Sequence, residues 1–274
     1  MIPPFFSVRS PMNHCIFSLV LLACSSFPLK AQYFGPPVGV VHVTAPAASD
    51  VILSVPLQRS AVYQGTIAKI NGNKITLLGS PAWKTNQFLP LRVPGTTYAV
   101  QLASGGKEGL VAKIMSNTAH TLVVTHEAGN NLNGVMVGEE GDQLDNVPYW
   151  TPSTLFANTL ATGTRLQFYN SNFGFEKSPA TVLQYNGKDW INLSKKAKSS
   201  HLTLGFGTAF VLRNVSTSPQ LITLAGQVPM TAHRRLVKTL TARRSHDNRF
   251  GYMSPVPESL VESGLTGRAG DLLL

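Results

Sequence analysis

The sequence predicts a mainly β protein, built from two antiparallel sandwich-like or barrel-like units with few short helices. Runs of β-branched and aromatic residues recur about every 8–15 residues and are separated by Gly, Pro and Asn turn signals. Asn-Gly stands between two alternating runs at Asn71-Gly72 and again at Asn186-Gly187. This dipeptide is a strong hairpin signal because both of its residues tolerate positive φ. The sequence lacks long amphipathic helical patterns, which favours an all-β architecture.

The predicted strands share a high content of Val, Ile, Thr and aromatic residues, which favour extended backbone. In chain order they are Val38–Thr44, Val51–Val55, Gly65–Ile70, Lys74–Leu78, Tyr98–Ala103, Gly109–Ile114, His120–Thr125, Arg165–Tyr169, Ala180–Tyr185, Asp189–Leu193, Thr208–Arg213 and Gln220–Ala225. Three further segments allow short helices: Thr151–Leu160, Met230–Ala242 and Glu258–Ser263.

A motif of Asp, a short run and Val-Pro occurs at Asp50–Pro56 and Asp142–Pro148, and more loosely at Asp247–Pro257. We expect the Asp to lie in a turn, where its carboxylate accepts hydrogen bonds from free backbone N–H groups. The proline should then end the strand at an edge of the sheet, where no N–H donor is needed. Chance similarity among short β segments is the alternative.

Residues 1–31 are predicted to be a cleavable secretory signal. Cys15–Cys24 is a run of ten residues that are apolar except for Ser18, which is typical of a signal-peptide core and shorter than the roughly twenty residues that cross a bilayer. Cleavage after Ala31 would start the mature chain at Gln32. The residues before Cys24 also resemble a bacterial lipobox, so lipidation of Cys24 is the alternative. Either route predicts export to the periplasm, the outer envelope or the extracellular space.

The net charge is concentrated in the second half of the chain. The whole chain carries +10, and removal of Arg9 and Lys30 with the signal leaves +8. Residues 32–160 contain seven Lys/Arg and seven Asp/Glu, whereas residues 161–274 contain fourteen and six. We therefore expect an N-terminal β-rich unit at 32–160 and a basic C-terminal β-rich unit at 161–274. Both cysteines lie within the signal, so the mature chain has no disulfide or thiolate metal site.

A basic tract at residues 233–249 carries six Lys/Arg and one Asp. Such a tract attracts anionic lipid headgroups, acidic glycans or nucleic acid, and export argues against nucleic acid. A solvated loop whose charges maintain solubility is the alternative. The candidate anion-binding residues are Arg234, Arg235, Lys238, Arg243 and Arg244.

Tyr149 and Trp150 are candidates for glycan stacking, because adjacent aromatic rings next to Pro148 form a typical sugar platform. Burial of these rings in a β core is the alternative. The sequence contains no hydrolase elbow, phosphate loop or regular calcium loop. His120 and His126 lie about 20 Å apart on an extended strand, too far to share a metal. We therefore predict no catalytic residues, metal or cofactor.

Three segments resemble an uncharacterised family of exported β-rich proteins from Verrucomicrobia and relatives. They are Gly141–Phe156, Tyr185–Trp190 and Gly226–Met230, and the resemblance extends over the chain from Val38 onward. It implies a bacterial secreted or cell-envelope protein and no particular activity. Family members continue past Leu274, so the resemblance favours either a truncated sequence or a short last strand.

These observations together predict an exported, non-catalytic cell-envelope or extracellular protein with a structural or adhesive role. A glycan- or polyanion-binding module is the alternative, and an exported hydrolase with dispersed carboxylates is a third hypothesis. Its partner is expected to be an envelope polyanion or glycan, and the mature chain is expected to lack a transmembrane helix.

Overall fold

The computed structural model describes residues 35–90, 95–125, 131–156, 160–169, 178–234, 249–253, 259 and 261–264. Their strands in chain order are β1 (Val38–Ala45), β2 (Asp50–Ser54), β3 (Tyr63–Asn71), β4 (Lys74–Leu77), β5 (Tyr98–Leu102), β6 (Val111–Asn117), β7 (Thr121–Thr125), β8 (Gln143–Pro148), β9 (Arg165–Phe168), β10 (Thr181–Tyr185), β11 (Trp190–Asn192), β12 (Ala197–Lys198), β13 (Ala209–Arg213) and β14 (Gln220–Gln227). One short helix, α1 (Pro152–Leu155), follows β8. All strand pairs are antiparallel, which confirms the predicted fold class.

Six strands form a closed barrel in the order β3-β4-β7-β6-β5-β8. Alternate residues of each strand point into the barrel, because side chains of an extended chain alternate between its two faces. Ile67, Ile75 and Leu144 are among the fully buried residues of this interior. The registers of β3 with β4 and of β6 with β7 each shift by one residue. Such bulges increase strand twist and help a small sheet to close.

The other strands form a two-layer sandwich. One layer is a six-stranded sheet in the order β12-β11-β10-β9-β13-β2, and the other is the β1–β14 ribbon. Leu166, Leu183 and Leu212 from the large sheet share one buried cluster with Ile222 and Leu224 from the ribbon. The ribbon therefore covers the apolar face of the larger sheet.

We expected a boundary between two units after residue 160, but the pairing of the strands divides the chain differently. β1 pairs with β14, and β2 pairs with β13, so the first two strands belong with the C-terminal sheets. The barrel strands lie between β2 and β9 in the sequence. The barrel and the sandwich belong to one compact unit, Pro36–Leu274. Within the described residues, no helix is long and apolar enough to span a membrane.

The first Asn-Gly hairpin differs from the expected turn. Asn71 pairs with Lys74, so the two central residues are Gly72 and Asn73. Only Gly72 has a positive φ, of 57°, which is the pattern of a type II′ turn with glycine at its first central position. At the second site, Gly187 lies in a four-residue loop because Tyr185 pairs with Trp190.

The Asp side chain of the Asp…Val-Pro motif makes different contacts at its first two sites. The Asp142 carboxylate accepts a hydrogen bond from the backbone N–H of Met136 at 2.9 Å, as expected for a turn. The Asp50 carboxylate instead binds the Arg213 guanidinium. β2 is an edge strand of its sheet, as expected, but Pro148 ends a strand that has neighbours on both sides in the closed barrel. Most of the third copy lies outside the described residues.

β12 was not predicted, and β8 was indicated only by the Asp…Val-Pro motif, since the sequences AK and QLDNVP lack the apolar alternation of a typical strand. The helix expected at residues 151–160 is limited to α1, which Thr151 caps by accepting from the Thr154 backbone N–H. Residues 230–234 of the second expected helix are not helical. The rest of that segment lies outside the described residues. In the third expected helix, at 258–263, the described residues 259 and 261–263 are not helical.

The alternation along β14 leads to a matched test of the sandwich core. Leu224 is 1% exposed and Leu221 is 60% exposed on the same strand. Leu224→Ala should lower the free energy of unfolding by about 2–5 kcal/mol, because it leaves a cavity in the core. Leu221→Ala should change it by less than about 0.5 kcal/mol. Denaturant unfolding of both variants checks this, and equal effects would contradict the proposed packing of the ribbon.

Candidate functional site

Tyr149 and Trp150 directly follow β8, and the structure gives the two rings different environments. Tyr149 is 8% exposed, and its ring packs against Phe206 with a centroid distance of 5.1 Å. Trp150 is half-buried, and its Nε1–H donates to the Leu57 carbonyl at 2.9 Å. The Arg59 guanidinium lies 5.9 Å from the centroid of the Trp150 ring. Of the two rings, Trp150 is therefore the one that stays accessible enough to stack on a sugar. The Arg59 guanidinium lies over that ring.

Trp190 is one of the residues that line a small depression beside α1. The ring itself is buried in the sandwich core, 5.3 Å from the Tyr185 ring and 5.8 Å from the Phe156 ring. It therefore contributes to packing and offers little surface to a ligand.

Of the predicted anion-binding residues, Arg234 lies within the described part of the chain. Its Nη2 donates to the Gly106 carbonyl, and its backbone N–H donates to the Gly109 carbonyl, each at 3.1 Å. A Cβ at Gly109 would lie only 2.2 Å from the Ala232 carbonyl oxygen, so this close approach requires glycine. Arg235, Lys238, Arg243 and Arg244 lie outside the described residues.

The outer face of the six-stranded sheet carries a basic cluster that the sequence analysis missed. Arg165 and Arg213 are register partners on β9 and β13, and Arg213 is in turn opposite Asp50 on β2. Nε and Nη2 of Arg213 donate to the two Asp50 oxygens at 2.7 and 2.6 Å. The Arg249 guanidinium lies 4.0 Å from the centroid of the Tyr169 ring. The alternation Arg-Leu-Gln-Phe-Tyr at residues 165–169 signals a polar strand face, but it does not reveal the arginines on neighbouring strands.

The barrel contains buried polar groups with unusual environments. Asn146 is 0% exposed, and its side-chain oxygen and nitrogen have no hydrogen-bond partner among the described residues. Burial raises the pKa of the adjacent Asp145, and a hydrogen bond from Gln64 partly opposes this rise. Burial likewise raises the pKa of Tyr98, and the charge of Arg59 opposes it. These groups lie on or beside barrel strands, apart from the sheet face that carries Arg165.

Metal ligation was not expected, and no group of three or more His, Cys, Asp or Glu side chains in the described part of the chain could hold a metal ion. His126 lies outside that part. The chain matches no family model, no curated protein and no solved structure. The resemblance to exported β-rich proteins therefore stays a prediction.

Two carboxylates with opposite pKa shifts lead to a pH prediction. The raised pKa of Asp145 means that its ionised form destabilises the folded state above the ordinary carboxyl range. Asp145→Asn should therefore increase the free energy of unfolding at pH 7, and the gain should disappear as the pH falls below about 4. The hydrogen bond from Arg213 lowers the pKa of Asp50 in the folded protein. The ionised Asp50 carboxylate therefore stabilises the fold at neutral pH, and this stabilisation is lost as the pH falls through the pKa of Asp50 in the folded state.

Asp50→Asn is consequently the control with the opposite sign. Its free energy of unfolding at pH 7 should be lower by up to about 1 kcal/mol, a small effect because the ion pair is partly exposed. In acid, its free energy of unfolding should approach that of the parent chain. Unfolding curves between pH 3 and pH 7 check both variants. A loss of stability for Asp145→Asn at pH 7 would rule out the proposed cost of burying its charge.

Proposed function

We propose that the protein acts outside the cytoplasm as a non-catalytic structural or adhesive component of the cell envelope or the extracellular space. The observation that best supports this proposal is the outer face of the β1–β14 ribbon. Val38 is 76% exposed and Val40 is 55% exposed on this face, and Leu221 is equally accessible on the neighbouring strand. Leu221 lies opposite Thr44, towards the other end of the ribbon from the two valines. Exposed large apolar side chains on one face commonly mark a contact surface.

The ribbon carries no formal charge. The sequences VGVVHVTA of β1 and QLITLAGQ of β14 contain no Asp, Glu, Lys or Arg. His42 faces Thr223 across the ribbon, and its Nδ1 lies 3.0 Å from the threonine hydroxyl. The ribbon therefore offers a face without formal charge on a chain whose net charge is +10.

The ribbon also has open edges. Among the described residues, β1 pairs only with β14, and the other edge of β14 meets only a bridge from Gln58 to Gln227. An open edge presents unpaired backbone N–H and C=O groups that can pair with another strand. Charged residues such as lysine normally protect such an edge, and the far edge of the six-stranded sheet has Lys195, Lys196 and Lys198 beside or within β12. β1 has no such protection.

We assign a second copy of this chain as the partner of the ribbon. Copies of a basic protein repel each other through most of their surfaces, and the ribbon allows contact without opposing like charges. The edge of β1 extends over eight residues, which suits antiparallel pairing with the same strand of a copy across a two-fold axis. Assembly of copies through this edge would supply the structural or adhesive role.

Val40→Lys tests this assignment, since it places a charge at the middle of the exposed face of β1. Sedimentation velocity over a range of protein concentrations should show self-association of the parent chain. Val40→Lys should weaken this association about tenfold or more. Met115→Lys is the matched control, because Met115 is similarly exposed on β6 of the barrel. A parent chain that stays monomeric at all concentrations, or equal effects of both variants, would refute the proposal.

Export is tested by fractionating cells and determining the N-terminus of the recovered chain by mass spectrometry. We expect the chain outside the cytoplasm with Gln32 as its first residue. A diacylated N-terminus at Cys24 that is lost in Cys24→Ser would instead establish the lipoprotein form. An unprocessed chain that stays in the cytoplasm would overturn the export proposal.

A second candidate function, the binding of a glycan or another polyanion, is favoured by the basic cluster on the six-stranded sheet. That cluster brings together Arg165, Arg213 and Arg249 on one face, whereas Asp50 is the carboxylate that pairs with Arg213.

A further inference from the structure

We infer that the outer face of the six-stranded sheet holds an anion site between Arg165 and Arg213, and that its ligand is the sulfate or carboxylate group of an acidic polysaccharide. This inference deepens the second candidate function and is independent of self-association through the ribbon. It rests on the register of the sheet, on an unused donor of Arg165 and on the placement of Arg249.

The register places two arginines side by side in one row across the sheet, with Asp50 at the edge next to Arg213. Asp50, Arg213 and Arg165 are successive partners on β2, β13 and β9. Neighbouring strands lie about 4.8 Å apart, so the two guanidinium groups start from adjacent positions on the same face. Like charges directly opposite each other destabilise a sheet. A bound anion would remove this repulsion.

Asp50 neutralises only one of the two arginines. Its oxygens accept from Nε and Nη2 of Arg213, and this ion pair raises the pKa of Arg213 further. The Nε of Arg165 is buried and has no hydrogen-bond partner among the described residues. A buried donor without a partner destabilises the folded state. An oxyanion that displaces the atoms covering Arg165 would accept from this donor, and the Nη1 group of Arg213, which Asp50 does not use, would supply a second hydrogen bond.

Arg249 provides a third cation near the same face. Its guanidinium lies over the Tyr169 ring, an arrangement that holds the charge in place through a cation–π interaction. The Tyr169 hydroxyl donates to Oε1 of Gln167 at 3.0 Å, which fixes the ring beside β9.

The shape of the row favours a linear polymer over a small ion. The row continues from Arg165 through Gln184 and Ile191 to Lys198, where the opposite edge of the sheet is reached. Six strands at about 4.8 Å spacing place its ends more than about 20 Å apart. Lys198 is paired with Asp189 at 2.7 Å, so a linear polysaccharide with repeating sulfate or uronate groups would bind first at Arg165 and Arg213 and would reach Lys198 by competing with Asp189. Arginine suits both groups because its planar fork binds oxyanions through two parallel hydrogen bonds.

Arg165→Gln tests the site in the full chain as it is recovered from cells. Titrations with heparin, as a sulfated polymer, and with polygalacturonate, as a carboxylated one, should show binding that weakens as salt rises. Arg165→Gln should weaken binding to the preferred polymer about tenfold. Arg165→Lys should lie between the parent and the glutamine variant, because lysine keeps the charge but lacks the bidentate fork. Asp50→Asn should strengthen binding, since it frees the donors of Arg213.

Lys113→Gln is the matched control, because it removes one exposed positive charge from β6 of the barrel. It should change the affinity less than twofold, and thermal unfolding should show that all variants remain folded. Equal losses for Arg165→Gln and Lys113→Gln would mean diffuse attraction only and would overturn the site. Binding to neither polymer at low salt, or binding only to vesicles of anionic phospholipid, would overturn the assignment of the ligand. Sedimentation of Val40→Lys reports separately on the ribbon.

Discussion

The pairing of β1 with β14 is the interaction on which the rest of the sandwich depends. All eight residues of β1 have partners in β14, from Val38 opposite Gln227 to Ala45 opposite Gln220. This pairing joins the two ends of the described core and forms the layer that covers Leu166, Leu183 and Leu212. The barrel strands lie between these ends in the sequence, so the pairing also closes a very long loop. Contacts of such long sequence separation tend to form late and slowly during folding.

Asn214 stabilises the place where β1 and β14 meet the six-stranded sheet. It is completely buried, and its Nδ2 group donates to the carbonyls of Ala45, Pro46 and Ser218. Its Oδ1 accepts from the Ser216 backbone N–H and from the Gln220 side chain. A buried amide with all of these partners fixes the register of the ribbon, because a slip by one residue would leave several groups unpaired. The same register decides that Val40 and Leu221 face outward.

Local residue types were sufficient to predict most strands, because Val, Ile and Thr favour extended backbone regardless of the partner strand. They did not predict β8, whose Asp145 and Asn146 are typical of turns yet lie buried in the barrel wall. Partner choice was also hidden, since the pairing of β2 with β13 depends on packing of the whole chain. The basic cluster has the same origin: Arg165 and Arg213 become neighbours only through strand pairing. Burial of Tyr149 likewise depends on a distant residue, Phe206.

The proposed self-association surface lies on the β1–β14 ribbon, and the proposed anion site lies on the six-stranded sheet. Both follow from the alternation of side chains between the two faces of a strand. Each layer uses one face for the shared core and exposes the other, so the ribbon exposes valines and the six-stranded sheet exposes arginines. Amide hydrogen exchange of β1 tests the central claim most directly. We predict strong protection of every second amide in dilute solution, where β14 is the partner, and protection of the remaining amides at concentrations where copies associate. Uniformly rapid exchange along β1 and β14 at all concentrations would contradict the account.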